Sequence, residues 1–101
     1  MQLINNLDDL VREIKSLETI KEVSFNTQLD YIAYKEYNNE SMFYIIAIYN
    51  NIVQNLNPDN RDLLIPDPIK ASLIHANNSI FGIGGNQTND QLTNFITGRT
   101  K

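Results

Sequence analysis

Val23-Ser24-Phe25-Asn26-Thr27-Gln28-Leu29-Asp30-Tyr31-Ile32-Ala33-Tyr34-Lys35-Glu36-Tyr37-Asn38-Asn39-Glu40-Ser41-Met42-Phe43-Tyr44-Ile45-Ile46-Ala47-Ile48-Tyr49-Asn50-Asn51-Ile52 is the stretch that decides the fold. Its first three residues read as a short strand. Leu29, Ile32, Ala33 and Glu36 then share one face at helical steps, which predicts a helix over about Leu29 to Tyr37 with Thr27 or Gln28 before it. Asn38-Asn39 ends that helix, because Asn tolerates the left-handed backbone that helix C-termini require. A further helix follows over about Met42 to Ile52. It is apolar nearly all round from Met42 to Tyr49, so it must be buried on more than one side. Asn50-Asn51 supplies its stop.

Working outward toward the C-terminus, Gln54 to Asp62 reads as a polar loop with a turn at Asn57-Pro58-Asp59-Asn60. Leu63-Leu64-Ile65 is a short strand closed by Pro66, which tolerates a strand end but not a ladder interior. Residues 22 to 66 therefore run strand, helix, helix, strand. The predicted class is α+β, with two helices on one face of a two-stranded antiparallel sheet, a sheet that needs such a cover. The expected core is Phe25, Leu29, Ile32, Ala33, Ile46, Ala47 and Ile65.

Before this unit, Leu7, Leu10, Val11, Ile14 and Leu17 recur at three- and four-residue steps, predicting an amphipathic helix from Asn6 to Leu17. Asn6 is its N-cap, and Asp8 and Asp9 suit its first turn. So short a helix is marginal alone, and its stripe must dock on the domain or on a partner. Beyond Pro68, a short helix over Ile69 to Asn77 is followed by a Gly- and Asn-rich run with sparse apolar residues. These include Phe81, Ile83, Phe95 and Ile96, and they read as an arm that orders against something else. The expected segments are an N-terminal helix (1–21), a central domain (22–67) and a C-terminal helix and arm (68–101).

The central residues carry a resemblance. Thr27-Gln28-Leu29-Asp30-Tyr31-Ile32-Ala33 is similar to the opening of a LysM module, in which a polar turn leads into a Leu-x-x-Ile-Ala helix. Tyr37-Asn38-Asn39-Glu40-Ser41-Met42-Phe43-Tyr44 and the following Ile46-Ala47 resemble a phage-tail variant, with a turn, an aromatic pair and Ile-Ala. Leu63-Leu64-Ile65-Pro66 matches the usual last strand. Over residues 22 to 67 the chain thus resembles the LysM-like wedge proteins of contractile-tail baseplates and the related short tail proteins. Asn38-Asn39 stands where the family has a Gly-containing turn, and Asn60-Arg61-Asp62 replaces its Pro-Gly. Both departures bear on the sugar-binding groove of the wider LysM family.

Composition narrows the partners. The chain has 101 residues, room for one domain with an arm or two. It is 42% hydrophobic and 9% aromatic, which suits a folded protein. A net charge of -4, with eight scattered basic residues, argues against nucleic acid and against an anionic membrane surface. No run approaches the roughly 20 apolar residues of a bilayer span. Met1 to Asp9 lacks the basic and apolar regions of a signal peptide, so synthesis in a cytoplasm without a Sec signal is expected. With no cysteine there is neither a disulfide framework nor a thiolate metal site.

No catalytic, cofactor or metal site is expected. His75 is the single histidine and has no Cys or second His to complete a zinc set, so it reads as a surface or interface residue. No Ser-centred nucleophile motif is present. Asp8-Asp9 reads as a helix start and Asp59-Asn60-Arg61-Asp62 as a turn, since neither has calcium-loop spacing. Gly82-Ile83-Gly84-Gly85 lacks the strand, helix and Lys of a phosphate loop. The aromatics Tyr31, Tyr34, Tyr37, Phe43, Tyr44 and Tyr49 suit a core or protein interface better than stacking on sugar rings.

The residue readings predict a non-enzymatic protein, and the resemblance implies a structural protein of a virion. The resemblance implies an adaptor in a phage tail baseplate, contacting other tail proteins in a symmetric, multi-copy assembly. Interface candidates are Leu7, Leu10, Ile14 and Leu17 on the N-terminal stripe, Tyr44 and Tyr49 as surplus apolar surface, and Phe81, Ile83, Phe95 and Ile96 on the arm. A peptidoglycan-binding LysM module is the alternative, and a small phage inhibitor or host-takeover protein stands behind it.

Overall fold

In the computed structural model, which describes residues 4–52 and 57–78, the central unit is strand, helix, helix, strand. Strand β1 (Thr19–Ser24) leads into α2 (Leu29–Tyr37). A single 3-10 turn (Glu40–Met42) opens α3 (Phe43–Tyr49), and β2 (Asp62–Pro66) returns antiparallel to β1. Helix α1 (Leu7–Lys15) precedes this unit and α4 (Pro68–Ala76) follows it. The class is α+β, as the residue pattern implies.

Local chemistry explains the boundaries of the two central helices. Helix α2 buries Leu29, Ile32 and Ala33 and stops at Asn38, whose φ of 58° is left-handed. The Asn39 side chain then accepts from the Ser41 N–H at 3.0 Å and starts the 3-10 turn. Helix α3 is shorter than the predicted Met42 to Ile52. It closes at Asn50, and Asn51 takes a left-handed φ of 60°. The N–H of Ile52 reaches the Ala47 carbonyl at 2.8 Å, and that of Asn51 reaches Ile48 at 3.2 Å. This pair of bonds is a Schellman closure, with Asn in the place glycine usually takes.

The strands contain the predicted Val23-Ser24 and Leu63-Ile65, but β1 begins four residues earlier, at Thr19. Nearly every β1 side chain is exposed, so no apolar alternation announces it. Its conformation comes instead from pairing: Lys21 with Ile65, Glu22 with Leu64, Val23 with Leu63, and an irregularity at Ile20. Phe25 lies just past the strand, fully buried, with its N–H on the Arg61 carbonyl at 2.7 Å. The other edge of β2 is occupied by a side chain. Asn50 accepts from the Leu64 N–H at 2.8 Å and donates to the Leu64 carbonyl at 2.9 Å.

Helices α1 and α4 complete the core rather than projecting from it. Asn6 caps α1 by accepting from the Asp9 N–H at 2.8 Å. Asp67 caps α4 by accepting from the Ile69 N–H at 2.9 Å, with Pro68 in the first turn. Helix α1 packs on α3 and α4, and the Ile4 N–H reaches the Asn77 carbonyl at 2.8 Å. Leu10, Ile14, Ala71 and Ile74 join Phe25, Leu29, Ile45, Ile46 and Ile65 in one core. All seven expected core residues are buried there.

This packing corrects part of the interface reading. Leu10 and Ile14 are wholly buried, so the centre of the N-terminal stripe is spent on this chain's own α3 and α4. Leu7 and Leu17 pack partly buried against the same core. Tyr44 and Ile48 are buried as well, because α1 and α4 add a layer that the two-helix, two-strand unit lacks. The segments 1–21, 22–67 and 68–101 all contribute to this core through their described residues.

Candidate interaction surfaces

Polar atoms inside the domain are already engaged. The Tyr44 hydroxyl lies 2.7 Å from His75 Nδ1 and 3.0 Å from Asn78 Nδ2, with Asn78 buried beside it. The amide nitrogen of Asn78 can only donate, so the hydroxyl accepts from it, and with Nδ1 unprotonated the same hydroxyl donates to His75. Burial pushes the Tyr44 hydroxyl up to about 12, with the Asn78 bond opposing that rise. Burial also holds His75 below its ordinary value of 6.5. His75, expected as a surface or interface residue, is half-buried and packs against Tyr44.

Tyr49 is similarly committed. Its half-buried ring sends a hydroxyl to the Leu17 carbonyl at 2.9 Å, with Thr19 Oγ1 at 2.7 Å, pinning the α1–β1 connection to α3. Tyr37 does the same for the sheet, donating to the Pro66 carbonyl at 2.9 Å. Burial raises the Tyr37 hydroxyl well above its usual range. Tyr44 and Tyr49 are thus internal struts. Phe81, Ile83, Phe95 and Ile96 lie outside the described residues.

The exposed apolar side chains are others. On α4, Ile69 is 75% exposed and Leu73, one turn later, is 49% exposed. They form a stripe on a different side of the helix from the buried Ala71 and Ile74. On the sheet, Ile20 and Leu64 are exposed, and Glu22 stands directly across from Leu64. On α2, Tyr31 and Tyr34 are half exposed and stacked with ring centres 6.5 Å apart, and Lys35 Nζ sits 5.6 Å from the Tyr31 ring. Of these residues, Tyr31 and Tyr34 stand out in the sequence as aromatics at helical spacing. The α4 stripe was legible too, since a helix reading Pro-Ile-Lys-Ala-Ser-Leu-Ile-His-Ala is apolar on two sides.

Between the start of α2 and the loop before β2 lies an open cleft of about 240 Å³, lined by Gln28, Leu29, Asp30, Phe43 and Asn57. It offers one half-buried aromatic ring among carboxamide and carboxylate groups. Elsewhere among the described residues, no three His, Cys, Asp or Glu side chains converge to hold a metal ion. No described helix is long and apolar enough to cross a membrane.

No protein-family model, no curated protein and no solved structure matches this chain.

Proposed function

We propose that the chain is a structural adaptor in the baseplate of a contractile phage tail, holding neighbouring subunits together without catalysing a reaction. The sequence resemblance over residues 22 to 67 supplies the family. One observation carries the adaptor role: a closed core coexists with large apolar side chains left in solvent, above all Ile69 and Leu73 on α4. Single exposed apolar residues are ordinary, whereas an aligned pair one helical turn apart suits a neighbour. The docking surface is then α4 together with the Tyr31–Tyr34 face, not the stripe of α1. Partners would be other tail or baseplate proteins in a symmetric, multi-copy particle, where many weak contacts act together.

The test is a tagged copy expressed in cells producing the virus or native operon, with captured proteins read by mass spectrometry. Tail and baseplate proteins should be recovered with the wild-type chain and lost with a variant carrying Ile69→Ser and Leu73→Ser. Recovery of no tail component by the wild-type chain would contradict the proposal.

A peptidoglycan-binding module is the second reading, and the cleft at Gln28, Asp30, Phe43 and Asn57 favours it. It lies between the loop before α2 and the loop before β2, and the LysM resemblance would make such flanking loops the sugar groove. The same tagged chain retained on insoluble cell wall would promote this reading.

A further inference from the structure

The two edges of the sheet are treated differently. On β2, the Asn50 carboxamide pairs with both backbone groups of Leu64 and seals the edge. Because residues alternate direction along a strand, this places Leu64 and its partner Glu22 in a pair whose backbone groups point away from each other. The N–H and C=O groups of Glu22 and Ser24 therefore face outward along β1. Among the described residues no hydrogen bond reaches them. Open edges of this kind are templates for a further strand.

Charge decides which strand fits. Lys21 is held by Glu36 of α2 at 3.0 Å, on the helix side of the sheet. Glu22, Asp62 and nearby Glu18 are exposed, and Ile20 and Leu64 lie among them. A second copy pairing symmetrically about Glu22 or about Lys21 would set that residue against its own counterpart, and like charges directly opposite are destabilising. The edge thus disfavours this chain and admits a complementary one.

We propose that the β1 edge takes up an extended segment of another protein, one that alternates apolar side chains with Lys or Arg. The segment's backbone would pair with Glu22 and Ser24, its cations would lie on the outer face beside Glu22 and Asp62, and its apolar side chains would lie on the opposite face beside the half-buried Val23. This deepens the adaptor reading by naming the chemistry of one partner.

The experiment uses the full chain, isotopically labelled, titrated with an eight-residue peptide alternating Val and Lys. A matched peptide alternating Val and Glu serves as the comparison. The expected result is slowed amide exchange at Glu22 and Ser24 with the Lys peptide, and binding roughly fivefold tighter than the Glu peptide. Glu22→Lys, a change at an exposed site, should invert that preference. Ser24→Pro, with its fold checked by circular dichroism, should abolish protection by either peptide. Equal protection by both peptides would overturn the proposal, as would no protection by either or self-association of the free chain through β1. Because no tail protein is present, failure here is distinguishable from failure of the adaptor reading, which the capture experiment tests.

Discussion

Asn50 and Leu64, fourteen residues apart, are joined like neighbouring strands: the Asn50 carboxamide accepts from the Leu64 N–H and donates to the Leu64 carbonyl. Its second amide proton goes to the Ile46 carbonyl at 2.9 Å, inside α3. One side chain therefore caps a helix end and a sheet edge together. Asn50→Ala removes three hydrogen bonds and should cost about 2–3 kcal/mol of stability. Asn50→Asp keeps the acceptor but sets a carboxylate against two carbonyls, and should cost at least as much. Urea unfolding of both variants checks this, and an Asp variant as stable as wild type would contradict the assignment.

His75 titration follows from its pairing with Tyr44. Its folded value lies below 6.5, so the unfolded chain binds the proton more readily. The contribution of His75 is fully present above about pH 6.5 and is lost as pH falls through the folded value. As the chain has one histidine, its ring resonances are unambiguous in an NMR titration. A midpoint below 6.5 is expected, and one at or above 6.5 would show that the Tyr44 bond does not select the neutral ring.

The buried part of the α1 stripe should behave as core. Leu10→Ala and Ile14→Ala each leave a cavity against α3 and α4 and should destabilise by about 2–5 kcal/mol. Leu7→Ala, only partly buried, should cost distinctly less. Denaturant midpoints with unchanged slopes would establish that order.

Ile69→Ser and Leu73→Ser should separate folding from association. Both side chains are largely in solvent, so together they should change stability by only about 1 kcal/mol or less. Thermal unfolding should be near wild type while capture of partners is lost. A variant that unfolds would show that α4 relies on those side chains internally.

Some elements of the fold are encoded locally in the sequence and others only through tertiary contact. Helix α2 was legible to the residue, since its apolar spacing and the left-handed Asn38 are both local signals. Strand β1 was legible only at its end, because Thr19 to Glu22 bury nothing and are made a strand by β2, some forty residues away. The stop of α3 at Asn50-Asn51 is a local signal, whereas the pairing of Asn50 with β2 has none. The candidates Leu10, Ile14 and Tyr44 are buried for a related reason. Counting apolar residues against a two-helix, two-strand unit left Tyr44 and Ile48 over, and only the tertiary docking of α1 and α4 absorbs them. The Tyr44–His75 pair spans 31 residues and has no local signature.

The most direct test of the adaptor proposal is a sedimentation measurement that offers the purified chain both partners at once. Labelled protein would be mixed with tail assembly intermediates lacking it and with purified peptidoglycan sacculi, then separated on a density gradient. The label is expected to travel with the tail particles, the Ile69→Ser and Leu73→Ser double variant to stay behind, and the sacculi to remain unlabelled. Label confined to the sacculi, and lost from them with Phe43→Ala, would contradict the adaptor and make the cleft beside α2 the functional site.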